Sequence, residues 1–123
     1  MRPTDEALVS AARQAKEKAY APYSNFSVGA AVDGDDGKVY TGCNVENGSY
    51  GLTSCAERNA VFAAVAAGCR KIHSVAVEDY TLPCGACRQV LAEFSAERII
   101  LTAKDGRYRV VKATELFPQP FSL

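Results

Sequence analysis

Three cysteines and a glutamate form the chemically distinctive part of this sequence. Cys55 lies two residues before Glu57, and Cys84 and Cys87 lie three residues apart further along the chain. Cysteine thiolates are common zinc ligands, and a catalytic zinc site leaves its fourth position open for water. The pattern therefore predicts a catalytic centre that binds one zinc ion per chain.

Each half of this pattern has another interpretation when it is taken alone. Ser54 and Glu57 fit a capping box, with Ser54 as the N-cap of a helix and Glu57 as its third residue. Cys84 and Cys87 fit a redox pair, or two buried thiols on one helix face. A metal held between the N-termini of two helices accounts for both halves, because helix dipoles favour thiolates there.

Glu57 is predicted to lie beside the metal and not to ligate it. Residues two apart on a helix do not share a face, so Glu57 should not join Cys55 as a ligand. It can still reach a water on the metal, which is the position of a proton shuttle. Arg58 and Arg88 each follow a residue of the site, and we expect them to donate to the thiolate sulfurs unless they are solvated surface charges.

The elements that must position these residues alternate between helix and strand. Apolar residues at intervals of three and four predict a first helix over residues 4–20, with Thr4 as its N-cap. A second helix over 55–67 is apolar nearly all round, so we expect it to be buried on more than one side. The remaining predictions are a third helix over 84–94, a last helical turn at 114–116, and strands at 26–32, 38–43, 72–77, 98–104 and 108–112.

Two short links restrict how the strands pair. Residues 33–37 and 105–107 are rich in Asp and Gly, and links of this length join only antiparallel neighbours. The order of elements then predicts one domain over residues 1–123, an α/β protein with a three-layer α/β/α sandwich. Its mixed five-stranded sheet should have its last two strands antiparallel. The polar loop 44–52 should deliver side chains to the site.

Composition argues against several partners. Lys plus Arg and Asp plus Glu both number 14, so no overall positive field attracts nucleic acid. No apolar run is long enough for a signal peptide or a membrane span, and an odd number of cysteines fits a reducing compartment. We therefore expect a cytoplasmic protein without nucleic-acid or membrane partners. The single histidine, His73, is expected to be a strand residue and not a ligand.

Two motifs resemble the signature motifs of the small homotetrameric cytidine deaminases of pyrimidine salvage. They are Cys55-Ala56-Glu57-Arg58 and Pro83-Cys84-Gly85-Ala86-Cys87-Arg88-Gln89. Residues 20–31 and 42–47 are similar to that family as well, so the resemblance covers nearly the whole chain. It implies a zinc-dependent hydrolase that converts cytidine and deoxycytidine to uridine and deoxyuridine with release of ammonia.

The resemblance also implies roles around the metal. Zinc would be held by Cys55, Cys84 and Cys87, and Glu57 would shuttle protons while hydroxide attacks C4 of the cytosine ring. The positions that match the family next to these ligands, and would support them, are Arg58, Arg88 and Gln89.

On the substrate side, the resemblance implies that Phe26 packs on the base and the backbone of Ala56 reads its edge. Asn44 and Glu46 would hydrogen-bond the sugar hydroxyls. The structural alternatives are a core aromatic for Phe26 and a capped turn for Asn44 and Glu46.

In such a homotetramer the active sites would be shared between subunits. Tyr50 and a C-terminal aromatic residue would come from a neighbouring copy, with Phe121 in the matching place and Phe117 as the alternative. The link formed by residues 78–82 is shorter than is typical of the family, which affects the shape of the rim.

Two other functions fit the same motifs. A blasticidin S-type or other cytosine-nucleoside-analogue deaminase shares the zinc chemistry, although Phe26, Asn44 and Glu46 favour a plain nucleoside. A non-catalytic zinc-binding module is the alternative from a different class. Structural zinc sites usually have four protein ligands, whereas only three are found here without Cys43.

Overall fold

The computed structural model describes residues 2–78, 81–103 and 105–123. Helices and strands alternate along these residues much as the sequence predicts. In chain order they are α1 (Asp5–Lys16), β1 (Gly29–Gly34), β2 (Val39–Cys43), a 3-10 turn (Tyr50–Leu52), α2 (Ala56–Ala66), β3 (Ile72–Glu78), α3 (Gly85–Glu93), β4 (Arg98–Thr102), β5 (Tyr108–Lys112) and α4 (Ala113–Leu116).

The five strands form one mixed sheet in the order β2-β1-β3-β4-β5. The β1–β2 and β4–β5 hairpins are antiparallel, and β1 also runs antiparallel to β3. Only β3 and β4 are parallel among the described strands, and α3 makes the crossover between them. The predicted mixed sheet with its last two strands antiparallel is confirmed. The crossover places the start of α3 beside the end of β3.

Helices cover both faces of the sheet. Because successive strand residues point to opposite faces, β1 is buried on both sides, with Ala31 facing α1 and Val32 facing α2. The core under α1 contains Leu8, Val9, Ala12, Ala31, Ala76 and Ile100. The larger core under α2 and α3 includes Val32, Ala60, Val61, Val75, Leu91 and Ile99. The predicted three-layer α/β/α architecture is therefore confirmed.

A glycine allows α2 to lie close to the sheet. Gly42 is in β2, and a Cβ at this position would collide with backbone atoms of Ala56 and Ala60. The contact is between two backbones, so no side-chain rotation would relieve it. Gly42 therefore sets how near the first turn of α2, and with it Glu57, comes to β2.

The first strand and first helix are shorter than predicted. Residues 26–28 precede β1 because the side chain of Asn44 bonds their backbone, accepting from Val28 N at 2.8 Å and donating to Phe26 O at 2.8 Å. Helix α1 has Thr4 as its N-cap, as predicted, but ends at Lys16. Tyr20 instead pairs with the loop after β2, donating to Asn44 O. The predicted end of the fourth strand, Lys104, lies outside the described residues.

The start of α2 also differs from the prediction. Cys55 is the N-cap and makes no side-chain cap hydrogen bond, so Glu57 is the second helical residue. Ser54 Oγ donates instead to Asn59 Oδ1 at 2.7 Å. The Ser54–Glu57 capping box therefore does not form. Helix α3 likewise begins one residue later than predicted, with Cys84 as its N-cap.

Helix α2 is buried on one side only within this chain, which corrects the expectation drawn from its composition. Its inner face carries Ala56, Glu57, Ala60, Val61 and Ala64. Phe62 is 49% exposed on the opposite face, beside exposed alanines at positions 63 and 66.

His73 lies in β3, as expected. Among the described residues, no helix has the length and hydropathy needed to cross a bilayer.

Candidate zinc centre and active site

The N-termini of α2 and α3 meet at three cysteines. Cys55 and Cys84 are the N-caps of the two helices, and Cys87 lies in the first turn of α3. The Sγ atoms of Cys55 and Cys84 are 3.8 Å apart, and those of Cys84 and Cys87 are 3.5 Å apart. All three sulfurs lie within 4.8 Å of one another. The crossover that forms the sheet thus also assembles the predicted ligand set.

The spacing of these sulfurs fits zinc. A tetrahedral zinc with Zn–S bonds of about 2.3 Å separates its sulfurs by about 3.8 Å. Cys87 is buried, Cys55 is half-buried and Cys84 is exposed. Zinc is therefore suited to bind with two helix N-termini behind it and an open side at Cys84.

The thiols of Cys55 and Cys87 have pKa values shifted in opposite directions. A hydrogen bond from Cys87 lowers the pKa of Cys55 to about 5, against the opposing effect of burial, and Arg58 contributes in the same direction. The same contact with Cys55 and burial raise the pKa of Cys87. Zinc binds thiolates, so at neutral pH Cys55 is more readily available as a ligand than Cys87.

Arg58 lies against the cluster, as expected. Its Nη2 donates to Cys55 Sγ at 3.4 Å. Its Nε is buried and has no hydrogen-bond partner among the described residues. The guanidinium therefore places positive charge beside a thiolate, which offsets part of the negative charge of three sulfurs.

Arg88 and Gln89 bond backbone groups, and among the described residues neither donates to a sulfur. Arg88 donates through Nε to Pro83 O and through Nη1 to Leu116 O, both at 2.8 Å. The side chain of Gln89 bonds the backbone of Phe121. The structure thus corrects the expectation that Arg88 donates to a thiolate, because two carbonyl groups already take up its guanidinium.

Glu57 is buried beside the cluster with 4% of its surface exposed. The possible metal-binding group among the described residues contains only the three cysteines and not Glu57. Burial raises the pKa of Glu57 to about 7, and the charge of Cys55 adds to the shift. A carboxyl group with a pKa near neutrality can both accept and donate a proton, as a shuttle must.

A small cavity of about 170 Å³ opens onto this centre. It brings the expected catalytic, metal-binding and base-contacting residues together in one place. Its walls are formed by Ser24, Phe26, Val28, Asn44, Glu46, Thr53, Cys55, Ala56, Glu57, Thr81, Leu82 and Cys84. Phe26 is 46% exposed, so its ring is available to a ligand and is not a core aromatic.

Asn44 and Glu46 are already bonded within their own chain. Besides the bonds of Asn44 to residues 26–28, Glu46 Oε1 accepts from Tyr23 N at 2.9 Å and Ser24 N at 3.1 Å. Glu46 Oε2 accepts from Ser24 Oγ, and this bond contributes most to lowering the pKa of Glu46. These residues therefore form the capped turn that holds Phe26 in place. The second amide proton of Asn44 and the spare lone pairs of Glu46 remain for a ligand.

The two residues expected from a neighbouring copy lie outside the cavity. Tyr50 is 75% exposed and contacts Tyr23 edge to face, with ring centroids 5.9 Å apart. Phe121 is 70% exposed, whereas Phe117 lines a groove of about 610 Å³ beside α3 on its own chain. Within the link 78–82, Asp79 and Tyr80 lie outside the described residues, while Thr81 and Leu82 line the cavity.

Sequence reasoning missed several cavity residues and one residue that orients the site. Asn59 donates to Cys43 O at 2.7 Å and accepts from Ser54 Oγ, so it fastens the end of β2 to the start of α2. Its position four residues after Cys55, one helical turn away, was the available signal. Ser24, Thr53 and Leu82 carry no comparable signal, because only the fold brings them to the cavity.

Known proteins share this sequence and this fold. The family model for the cytidine and deoxycytidylate deaminase zinc-binding region matches residues 2–103. A cytidine deaminase from Sporosarcina psychrophila is 45% identical over 123 residues, covering 95% of this chain and 90% of the relative.

Solved structures agree. The cytidine deaminase from Burkholderia pseudomallei superposes with a TM-score of 0.89 at 51% identity, covering 97% of this chain and 100% of that one. The enzyme from Mycobacterium tuberculosis gives a TM-score of 0.85 at 42% identity, covering 98% and 100%. Sequence match, fold and a cysteine cluster of zinc-binding dimensions coincide, so this chain belongs to the cytidine and deoxycytidylate deaminase family.

Proposed function

We propose that this protein hydrolyses cytidine and deoxycytidine to uridine and deoxyuridine with release of ammonia, as a step of pyrimidine salvage. The observation that carries this proposal is the cavity in which buried Glu57 and two cysteines of the metal cluster face the exposed ring of Phe26. The cavity combines a flat apolar surface for a base with groups that can activate water. The names of the similar proteins support the same substrate class.

The residues of the cavity suggest how the nucleoside is held. Phe26 offers the face of its ring to the base. Ala56 is the first residue of α2, where backbone N–H groups have no partner within the helix, so it can donate to the edge of the base. Asn44 and Glu46 use their remaining hydrogen-bonding capacity for the sugar hydroxyls.

The reaction replaces the amino group at C4 of the base by the oxygen of water. Cys55, Cys84 and Cys87 would hold zinc, which would supply the Lewis acid that lowers the pKa of water toward neutrality. Glu57 accepts one proton from the attacking water and passes it to the ring nitrogen beside C4, and then carries the second proton of that water to the amino group, so that the C4–N bond breaks and ammonia leaves. The pKa of about 7 lets Glu57 perform both transfers.

We propose that the protein acts as a homotetramer with shared sites. The cavity of about 170 Å³ is smaller than the roughly 300 to 1,000 Å³ typical of small-molecule sites, so it lacks a wall. Large apolar side chains are exposed near the cavity and on the outer face of α2, where a second copy would cover them. They are Tyr20, Tyr23, Val45, Tyr50, Leu52 and Phe62. Light scattering on the purified protein tests the assembly, and a monomeric mass at working concentration would refute it.

Two further statements belong to this proposal. One domain comprises residues 1–123, supported by the continuous sheet and its two flanking cores. The protein works in the cytoplasm, where a reducing environment keeps a cluster of three zinc-binding thiols from oxidising.

Activity assays test the function directly. Zinc-loaded protein is incubated with cytidine, deoxycytidine, blasticidin S and free cytosine, and ammonia release is followed with the absorbance change at the base. We expect turnover of both nucleosides and little of the other two. No ammonia from any cytosine nucleoside, with zinc bound, would leave a non-catalytic zinc module, and preference for blasticidin S would identify an analogue deaminase.

A further inference from the structure

The carboxylate of Glu46 is held by a tight turn at residues 23–26. Glu46 Oε1 accepts from Tyr23 N at 2.9 Å and from Ser24 N at 3.1 Å, and Glu46 Oε2 accepts from Ser24 Oγ. Ser24 therefore contributes two of these three donors. Its hydroxyl bond also contributes most to lowering the pKa of Glu46, so the carboxylate stays ionised at neutral pH.

The same hydroxyl group is bonded to the residue that carries the base-packing ring. Ser24 Oγ accepts from Phe26 N at 3.0 Å while it donates its one proton to Glu46. A serine hydroxyl has one proton and two lone pairs, so one lone pair remains. One side chain thus joins the backbone of Phe26 to the carboxylate of a residue 22 positions from Ser24.

The backbone around Ser24 is fixed by its neighbours as well. Asn25 has a φ of 58°, in the left-handed region that asparagine tolerates better than most residues. Its N–H donates to Ala21 O at 3.0 Å, which closes the chain around Ser24. We therefore expect the turn to form when the Ser24 hydroxyl is removed, so that the two bonds of this hydroxyl can be tested in a folded protein.

Ser24 is exposed and lies in the wall of the cavity, together with Phe26, Asn44 and Glu46. A serine that only capped the turn would need its bond to Phe26 N, but no second bond to a distant carboxylate. The two bonds together fix the separation between the ring proposed to face the base and the carboxylate proposed to face the sugar. In a nucleoside the corresponding separation is set by the bond that joins the base to the sugar.

We propose that Ser24 is a positioning residue that sets the spacing between the base-packing ring of Phe26 and the sugar-binding carboxylate of Glu46. The inference rests on the proposed function, because it names a further residue that decides how the nucleoside is recognised. Ser24 acts through its two partners, and its hydroxyl proton is already used by Glu46. Removal of the hydroxyl should therefore weaken recognition of the sugar and leave the chemistry at C4 nearly unchanged.

Steady-state kinetics with two substrates test this role. Ser24→Ala is expected to raise KM for cytidine about tenfold, because Glu46 loses a hydrogen bond that orients its charged group. KM for 2′,3′-dideoxycytidine, whose sugar lacks the hydroxyls that Glu46 would bind, should rise less than about threefold. The kcat and the zinc content should stay near those of the wild type, since Ser24 is not among the candidate metal ligands. Ser24→Thr keeps a hydroxyl and should recover most of the affinity for cytidine.

Ser10→Ala is the matched control, since it removes the same hydroxyl from an exposed position of α1. It should leave both KM values unchanged. A wild-type KM for cytidine in Ser24→Ala, or an equal rise of KM for both substrates, would refute the positioning role and would limit the hydroxyl to capping the turn. KM does not depend on the fraction of protein that is folded, so a loss of stability cannot imitate a difference between the two substrates.

A double variant tests whether Ser24 acts through Glu46. Ser24→Ala combined with Glu46→Ala should raise KM for cytidine little more than Glu46→Ala alone, because the carboxylate that the hydroxyl orients is already gone. Effects that multiply would show that the two residues act independently and would overturn the inference. Wild-type protein in the same assay separates the two proposals, since an inactive wild type refutes the function, whereas an active wild type with an unaffected Ser24→Ala variant refutes only the positioning.

Discussion

The metal cluster and the rim of the cavity are built in different ways. The cluster lies at two helix N-termini, with Cys87 and Glu57 buried and every ligand supplied by one chain. The rim consists of loop residues whose polar side chains bond their own backbone and whose aromatic rings remain exposed. One chain therefore brings the candidate metal ligands and Glu57 together by itself, whereas its rim keeps aromatic surface exposed, which the proposed homotetramer would cover.

Removing the metal should have the largest effect. It should also distinguish the metal cluster from the rim most clearly, because it acts on the cluster directly. A strong chelator is expected to abolish activity and lower the melting temperature, because three close thiols lose the ion that holds α2 against α3 and bound ligand stabilises the native state. Calorimetry with and without added zinc measures the change in melting temperature, and ammonia release from cytidine measures the loss of activity. An unchanged melting temperature would mean that the helices do not depend on the metal.

Glu57→Gln should reduce kcat by roughly 10² to 10⁴-fold, the usual contribution of a general acid–base. Zinc content and KM should change little, because the amide has nearly the same shape and is not a ligand. Metal analysis and kinetics on the same sample check this. A variant that keeps its rate would limit Glu57 to a structural role.

Arg58→Ala should weaken zinc retention or kcat by about 10 to 100-fold, because outer hydrogen bonds to metal ligands are usually worth this much. The variant loses the donor to Cys55 Sγ and the charge that helps keep that pKa low. Competition with a chelator of known affinity measures retention, and Arg58→Lys should recover part of the loss. Zinc retention and kcat at wild-type levels would show that the two helix dipoles stabilise the thiolates without Arg58.

Asn44→Ala should raise KM for cytidine about tenfold if its amide contacts the sugar, and the loss of its two backbone bonds should lower stability by about 2 kcal/mol. Comparison with 2′,3′-dideoxycytidine separates the two roles. A sugar contact predicts a smaller KM effect on this analogue. Equal effects on both substrates would mean that Asn44 acts only by holding Phe26.

Asp5→Asn should have the smallest effect, because its ion pair with Arg98 joins the start of α1 to the start of β4, at the opposite end of the sheet from the start of α3. The hydrogen bond from Arg98 lowers the pKa of Asp5 below its ordinary value of 3.8, so its contribution to stability is present above pH 3.8 and is lost as pH falls through the lower folded-state value. At neutral pH the variant should lose less than about 1 kcal/mol, because solvent still reaches this half-buried pair and screens it. Acid unfolding curves of the wild type and the variant measure this loss of stability and its dependence on pH. Any change in kcat/KM would contradict the expectation that the ion pair does not affect the active site.

Hydrophobic periodicity and turn chemistry were sufficient for most of the fold. The bounds predicted for β5 are those observed, and the two hairpins follow from links too short for any other pairing. The start of α2 was not predictable in the same way. A serine and a glutamate three residues apart fit a cap, but Asn59 takes the Ser54 hydroxyl and Cys55 occupies the N-cap.

Side-chain partners at the candidate site were also hard to predict, because they come from distant parts of the chain. Arg88 was expected to donate to the sulfurs because it follows Cys87, and Gln89 was placed beside the ligands because its position matches the family motif. Their distant partners are Leu116 and Phe121, near the C-terminal end of the sequence. Contacts of such sequence separation leave no local pattern. The exposure of the outer face of α2 was unpredictable for a related reason. An apolar helix has the same sequence pattern whether its second face packs against its own chain or against another copy.

Residue types and local spacing were enough to predict the candidate ligands, the place of Glu57 outside them and the order of helices and strands. These depend on chemistry and spacing within a few residues, which any conformation of the chain retains. The assembled fold was needed to bring the three sulfurs to zinc-binding distances and to raise the pKa of Glu57 to about 7 by burial. It was also needed to hold the backbone of Phe121 while its side chain stays exposed. Those properties arise from desolvation and from contacts between distant segments, which exist only once the sheet and its helices have assembled.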